Sequence, residues 1–319
     1  MNKKILVTGG CGYQGSKLIP ILLKKKIKVV ALDIQWFGLN LKRNKNLKVI
    51  KKNIININQK DLKGVTHIIH LASIANDPMG DLNPSLTWET SCIGTMKLLN
   101  CAVKAKVKRI IFASSASVYG VKKEIRVKEN LELEPISIYN KAKMITERIL
   151  LSYKNKINIS IIRPATVCGL APRMRFDLTV NMLTYQALKF KKINIFGGKQ
   201  IRPNIHIDDL IDIYLFFLSE NKKFNGIFNA GFENLSILNI AKKITNNINA
   251  ELNIVKNVYD IRSYRVDSSK LLKLNFKPNK KIDDAINEIK LYYNDKKLSK
   301  INKKFFSIEW LKKKKEFSK

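Results

Sequence analysis

The sequence predicts an α/β fold built on a doubly wound parallel sheet, and three observations carry that prediction. Short apolar runs recur through the first half of the chain and alternate with stretches of helical spacing, the pattern of strand–helix–strand crossovers. The first run, Ile5-Leu6-Val7, reads as a strand buried on both faces. Directly behind it stands Thr8-Gly9-Gly10-Cys11-Gly12-Tyr13-Gln14-Gly15-Ser16, and a helical pattern follows from Lys17 to Leu23. Glycine serves where the chain turns sharply or lets a ligand approach the backbone. A helix opening there turns unpaired N–H groups and partial positive charge toward an anion such as a pyrophosphate.

The next elements extend the pattern. Lys28-Val29-Val30-Ala31-Leu32 is a second strand and ends at Asp33, 18 residues past Gly15. That is near the spacing at which a carboxylate takes the adenosine ribose hydroxyls of a dinucleotide. Lys48-Val49-Ile50 leads to Asn53-Ile54, where an amide would reach the adenine. Thr66 to Leu71 is a strand running into small residues at Ala72-Ser73, as where a doubly wound sheet lets its cofactor pass. His67 and His70, inside that strand, are expected to be satisfied core residues. Pro78 to Ser85 reads as a loop. Thr87 to Val107 reads as a helix whose apolar face is Ile93, Met96, Leu99 and Val103, with Cys92 and Cys101 as packing residues. Arg109 to Ala113 is the next buried strand, and it delivers Ser114-Ser115-Ala116-Ser117-Val118-Tyr119-Gly120.

Tyr139-Asn140-Lys141-Ala142-Lys143 opens a further helix. Positions four apart share a face, so Tyr139 and Lys143 are neighbours. An ammonium there is expected to pull the phenol from about 10 toward neutrality. With a serine hydroxyl offered from a strand end, the pair makes a proton relay for oxidising an alcohol or reducing a ketone.

Composition bounds the rest. The chain has 319 residues, 45% hydrophobic and 27% charged, which suits a soluble globular protein of one large or two modest domains. No apolar run is long enough to span a bilayer, and Met1-Asn2-Lys3-Lys4 leads straight into the glycine turn rather than a secretory signal. Four cysteines without a C-x-x-C pair fit a reducing cytoplasm. The formal net charge of +35 is mostly lysine spread over the whole chain and travels with isoleucine and asparagine, residues of A/T-rich codons. No nucleic-acid-reading motif accompanies it, so the charge points at most to anionic substrates.

The glycine turn, Asp33, Ser114 to Gly120 and Tyr139-x-x-x-Lys143 resemble, in order and spacing, the extended short-chain dehydrogenase/reductases. Within them the chain is most similar, over roughly residues 3 to 290, to the NAD-dependent nucleotide-sugar epimerase/dehydratase branch and its UDP-glucose/galactose 4-epimerase-like members. The resemblance implies a Rossmann-type NAD domain at 1–170, with a returning segment near 200–230. It also implies a nucleotide-sugar-binding region at 171–290, beyond which lies a basic tail at 291–319. It assigns NAD to Gly9, Gly12, Tyr13, Gln14, Gly15, Asp33, Asn53, Ile54, Leu71, Ala72, Ser73, Tyr139 and Lys143. The catalytic residues would be Ser115, Tyr139 and Lys143. Ser115, Ser117, Asn181, Asn194, Phe196, Arg202 and Arg262 would bind the substrate. His206 reads as structural, Trp310 to Lys315 as a solvated helix end, and Cys168, where relatives carry tyrosine, as a packing residue. Relatives that eliminate water carry Asp-Glu directly after the catalytic hydroxyl. Here Ala116 and Ser117 stand there, so epimerisation at C4 is expected, with a dehydratase or decarboxylase, a keto-sugar reductase and a non-catalytic dinucleotide-sensing protein as the alternatives. A homodimer, with no nucleic acid, metal or membrane span, completes the expectation.

Overall fold

The computed structural model describes residues 3–218, 224–255 and 263–317. Its frame starts with β1 (Lys4–Thr8), β2 (Lys28–Asp33), β3 (Leu47–Lys51), β4 (His67–His70), β5 (Arg109–Ala113) and β6 (Asn158–Pro164). β7 (Thr166–Cys168), β8 (Lys192–Phe196) and β9 (Ile201–His206) come next, then β10 (Gly226–Ala230), β11 (Glu233–Ser236) and β12 (Glu251–Val255). The main sheet has seven strands in the order β10-β6-β5-β4-β1-β2-β3, every pair parallel. The chain winds outward from β1 through β2 and β3, then returns to β4 and winds the other way. The crevice at the carboxyl ends of β1 and β4 is therefore the topological switch point, where ligands bind in such sheets.

Alternation along the strands fills both faces. Ile5, Val7, Ile69, Ile111 and Ile162 belong to one buried cluster, and Leu6, Ile68, Ile110, Phe112 and Ile161 to the other. The continuous apolar runs of the sequence are the signature of this double burial. Helices α1 (Tyr13–Lys24), α2 (Asp77–Leu82), α3 (Pro84–Trp88), α4 (Gly94–Lys104) and α5 (Ile138–Leu151) come from the first half. The second half supplies α6 (Thr179–Phe190), α7 (Ile207–Phe217), α8 (Ile237–Asn247), α9 (Ser269–Leu272), α10 (Ile282–Tyr292), α11 (Asp295–Leu298) and α12 (Ser307–Leu311). β7, β9 and β11 form a three-stranded sheet and β8 pairs with β12. No helix among the described residues is long and apolar enough to cross a membrane.

Three elements differ from expectation. The stretch 78–85, expected as a loop, carries α2 and the start of α3, each opened by an asparagine cap and a proline in its first turn. The helix expected over 87–107 is α3, a π-helical turn at Glu89–Ile93, and then α4. The wide turn shifts the phase, so Leu98, Leu99 and Ala102 are buried while Ile93 and Met96 are 42% and 41% exposed. The turn is fitted to its surroundings: a Cβ on Gly94 would stand 2.7 Å from Ile54, and Thr90 is carried into the central cleft. The C-terminal end is docked rather than solvated. Leu311 and Phe317 are buried with Ile74, Met79 and Leu86, and Trp310 Nε1 donates to the Trp36 carbonyl at 2.7 Å. The run Lys312 to Lys315 is flanked by Trp310-Leu311 and Phe317, apolar residues that need a surface to cover.

Candidate active site

The glycine turn is shaped by contacts only glycine allows. Gly9 has φ +68°, and a Cβ there would meet the Ala72 nitrogen at 2.8 Å. One on Gly15 would meet the Gly10 carbonyl oxygen at 2.5 Å. The turn is thereby locked against the end of β4 and the start of α1. Gly12 is the N-cap of α1, with no side-chain cap and no acid in the first turn, so nothing from the protein competes with an anion there.

Around that turn opens a cleft enclosing about 920 Å³ of empty space, its solvent-facing part included. Gly9, Gly12, Tyr13, Gln14, Gly15, Asp33, Asn53, Ile54, Leu71, Ala72 and Ser73 all line it. Asp33 is fixed in place: its Oδ2 accepts from Cys11 N at 3.0 Å and its Oδ1 from Gln35 N at 2.6 Å. Burial pushes its carboxyl up, and those two N–H groups draw it back down. Asn53 caps a short turn by accepting from Ile55 N at 3.2 Å. Tyr13 and Gln14 use their side chains inward, Tyr13 Oη donating to the Gly169 carbonyl at 2.6 Å and Gln14 Oε1 accepting from Tyr214 at 2.7 Å. They therefore meet the cleft with backbone and ring.

The second constellation stands beyond this cleft's lining, at the ends of β5 and α5. Ser115 ends the β5 crossover and its Oγ lies 2.7 Å from that of Ser117, which in turn donates to Asn140 Oδ1. Tyr139 sits in the first turn of α5, beneath α2, where a Cβ on Gly80 would come within 3.1 Å of its own. Lys143 is buried, its Nζ donating to the Ala113 carbonyl at 2.7 Å and standing 5.9 Å from the Tyr139 ring centre. The expected drop in the phenol's pKa is not what the surroundings of Tyr139 favour. Burial pushes Tyr139 up to about 12, with the Ser115 hydroxyl drawing it down, while burial pushes Lys143 down to about 7 against the pull of Glu147. Burial sets the direction for both groups, and the ammonium is turned to a carbonyl at the strand end.

The remaining predicted residues are more dispersed. Asn181 is fully buried, its Oδ1 accepting from Gly169 N and its Nδ2 donating to Tyr13 and to the Arg175 carbonyl. In this arrangement it braces Tyr13 and the turn at Gly169. Asn194 and Phe196 share the exposed side of β8, with Asn194 accepting from Asn253 at 2.9 Å. Arg202 lies on β9, half-buried, and donates to its neighbour's carbonyl, Ile201 O, at 3.2 Å. Arg262 lies outside the described residues. His70 is buried between Thr8 and Thr95 hydroxyls at 2.6 and 2.9 Å. Cys168 is fully buried against the Ile205 carbonyl, and burial raises its thiol pKa far above the ordinary value, which fits packing and not nucleophilic chemistry.

Sequence reasoning missed a group of cleft residues: Trp36, Phe37, Arg173, Arg175 and Ser307. Arg175 pairs with Asp177 and also donates to the Ala75 carbonyl at 3.1 Å, tying the loop before α2 to the second half. The alternation of Arg173, Arg175 and Asp177 with buried Met174 and Phe176 was the available signal.

A cavity with these glycines, an uncapped helix start and a fixed carboxylate fits a dinucleotide, and known proteins agree. The model of the family described as NAD dependent epimerase/dehydratase matches residues 5–231. A Lactobacillus helveticus UDP-glucose 4-epimerase is 29% identical over 76% of this chain and 82% of its own length. A Bacillus subtilis protein named as an uncharacterized UDP-glucose epimerase is 36% identical over 65% and 70%. Among solved structures, a Bacillus cereus UDP-glucuronic acid 4-epimerase with UDP-glucuronic acid and NAD superposes with a TM-score of 0.78, 30% identity and coverage of 91% and 100%. The chain belongs to the NAD dependent epimerase/dehydratase family.

Proposed function

We propose that this protein is a nucleotide-sugar epimerase that inverts a sugar hydroxyl, at C4, through a transient keto-sugar. The observation carrying this reading is the pair of residues behind Ser115. Ala116 is fully buried, and the Ser117 hydroxyl is held between Ser115 and Asn140. Neither can supply the carboxylic acid or base that elimination of water needs. The two UDP-sugar epimerases named above support the same choice, although a decarboxylase and a dehydratase are also similar to this chain. A second reading rests on Asp77, whose charge reaches Tyr139: it would be the carboxylate of a dehydratase. Its Oδ1 accepts from Ser137 at 2.7 Å, and Ser137 in turn N-caps α5, which favours a supporting role.

In this mechanism NAD, when bound, supplies the centre that takes a hydride from the sugar and gives it back. In its phenolate form Tyr139, with Ser115 on the same oxygen, would take the proton of the hydroxyl being oxidised and return it once the keto-sugar has turned its other face. Lys143, its Nζ 5.9 Å from the ring centre, would hold the nicotinamide ribose. Ser117 is assigned to the sugar, Arg202 to the phosphates and Asn194 with Phe196 to the base. Guanidinium forks suit pyrophosphate oxygens, so Arg202→Ala should raise the nucleotide-sugar Kd about 10- to 100-fold and leave NAD affinity unchanged. The test is a screen of UDP-, GDP- and dTDP-sugars with catalytic NAD. Conversion to an epimer without accumulation of NADH supports the reading, and stoichiometric NADH or NAD use would show a reductase or dehydrogenase instead.

A further inference from the structure

We propose that Arg173 is a further cofactor-holding residue, its Nε–H donating to the pyrophosphate of NAD, and that Ser307 on α12 positions it. This rests on the family's cofactor and not on the epimerase reading, because a dehydratase or reductase of the family would need the same hold.

Arg173 is tethered at both ends. Its backbone N donates to Ser16 Oγ at 3.1 Å, and Ser16 lies in the first turn of α1, where a pyrophosphate meets the helix start. At the other end Nη2 donates to Ser307 Oγ at 2.8 Å, and the guanidinium lies over Phe37, 3.9 Å from the ring centre. The side chain lines the same cleft as Gly12 and Gly15, and the residue is 2% exposed. Its Nε is nevertheless buried without a hydrogen-bond partner among the described residues. Buried guanidinium N–H groups are rarely left so.

The neighbouring carboxylates are engaged elsewhere. Asp33 accepts from Cys11 and Gln35, and Asp177 from Arg175, Asn76 and Ser307. Burial pushes the Arg173 guanidinium down to about 9, with Arg175 adding to the effect; a bound anion would relieve both. Among the anionic groups of a dinucleotide, the tether to Ser16 selects the pyrophosphate. A phosphate on the adenosine ribose would instead face the Asp33 carboxylate.

The positioning role of Ser307 follows from where α12 sits. Trp310 and Leu311 anchor it, through the Trp36 carbonyl and the cluster around Met79, to both lips of the cleft. The C-terminal segment thus bridges the loop after β2 and α2, and it holds the guanidinium from outside.

The experiment is calorimetric titration of the full chain, its Arg173→Gln and Arg173→Lys variants and Ser307→Ala with NAD, ADP-ribose, NADP and adenosine. Arg173→Gln should weaken NAD and ADP-ribose about 10- to 100-fold and leave adenosine within about twofold. Arg173→Lys should recover part of the loss, and Ser307→Ala should shift it the same way by a smaller factor. Thermal unfolding of each variant separates lost binding from lost fold, and if Arg173→Gln does not fold, Arg173→Lys against Ser307→Ala decides. Unchanged NAD affinity, an equal loss for adenosine, or a loss confined to NADP would overturn the assignment.

Discussion

Tyr139 carries the proposed chemistry, and its surroundings set a demanding starting state. A phenol pushed up to about 12 by burial gives its proton up reluctantly, and Ser115 counteracts that burial. Tyr139→Phe removes the titrating oxygen and keeps the ring, so turnover should fall at least ~100-fold while NAD affinity is retained; calorimetry beside a rate assay checks both halves. His70 makes a prediction of a different kind. It is buried neutral between two threonine hydroxyls, and burial first, then Lys143, pushes it down to about 3 from an ordinary 6.5. Below about 6.5 the unfolded chain takes a proton that the folded one refuses, so the folded state loses stability as pH falls from there toward 3. Unfolding midpoints measured from pH 8 to pH 5 should fall less steeply in His70→Gln than in the parent chain. Parallel slopes would remove His70 from the account.

At the scale of elements, the decisive member is α5, because it presents Tyr139 and Lys143 on one face. Its far half is anchored by an ion pair buried on both sides: Glu147 and Arg163 on β6 meet at 2.6 Å. Ser114 donates to the same carboxylate, and Arg163 also donates to Tyr119. Breaking such a pair from one side leaves a charge in the interior, so Glu147→Gln should cost about 3–5 kcal/mol of stability, readable from urea unfolding. A cost below about 1 kcal/mol would mean that packing alone holds the helix. Elements of this kind were visible in the sequence where their signal is local. The glycine turn, Asp33 and the Tyr139–Lys143 spacing each lie within one strand–turn–helix unit or one helix turn. Arg173 with Ser307, and Trp36 with Trp310, are joined only by folding, across stretches that no spacing rule spans. The exposed face of α4 was misread for a related reason: a π-helical turn before it changes the phase that a 3.6-residue count assumes.

For the molecule as a whole, two halves meet over one cleft. The parallel sheet supplies the glycine turn, Tyr139 stands beyond the cleft's lining at the start of α5, and the second half closes on the cleft through Arg173, Arg175 and Ser307 of α12. Epimerisation and elimination of water would both begin with the same oxidation, so what distinguishes them is the set of groups beside Ser115. The central claim is that none of those groups eliminates water. The direct measurement is NMR of the protein, catalytic NAD and the nucleotide sugar found in the screen, incubated in deuterated water. The account predicts an inverted hydroxyl, no loss of water or carbon dioxide, no net NADH and no deuterium on carbon. Deuterium at C5 together with a new methyl group would contradict it and move the base to Asp77.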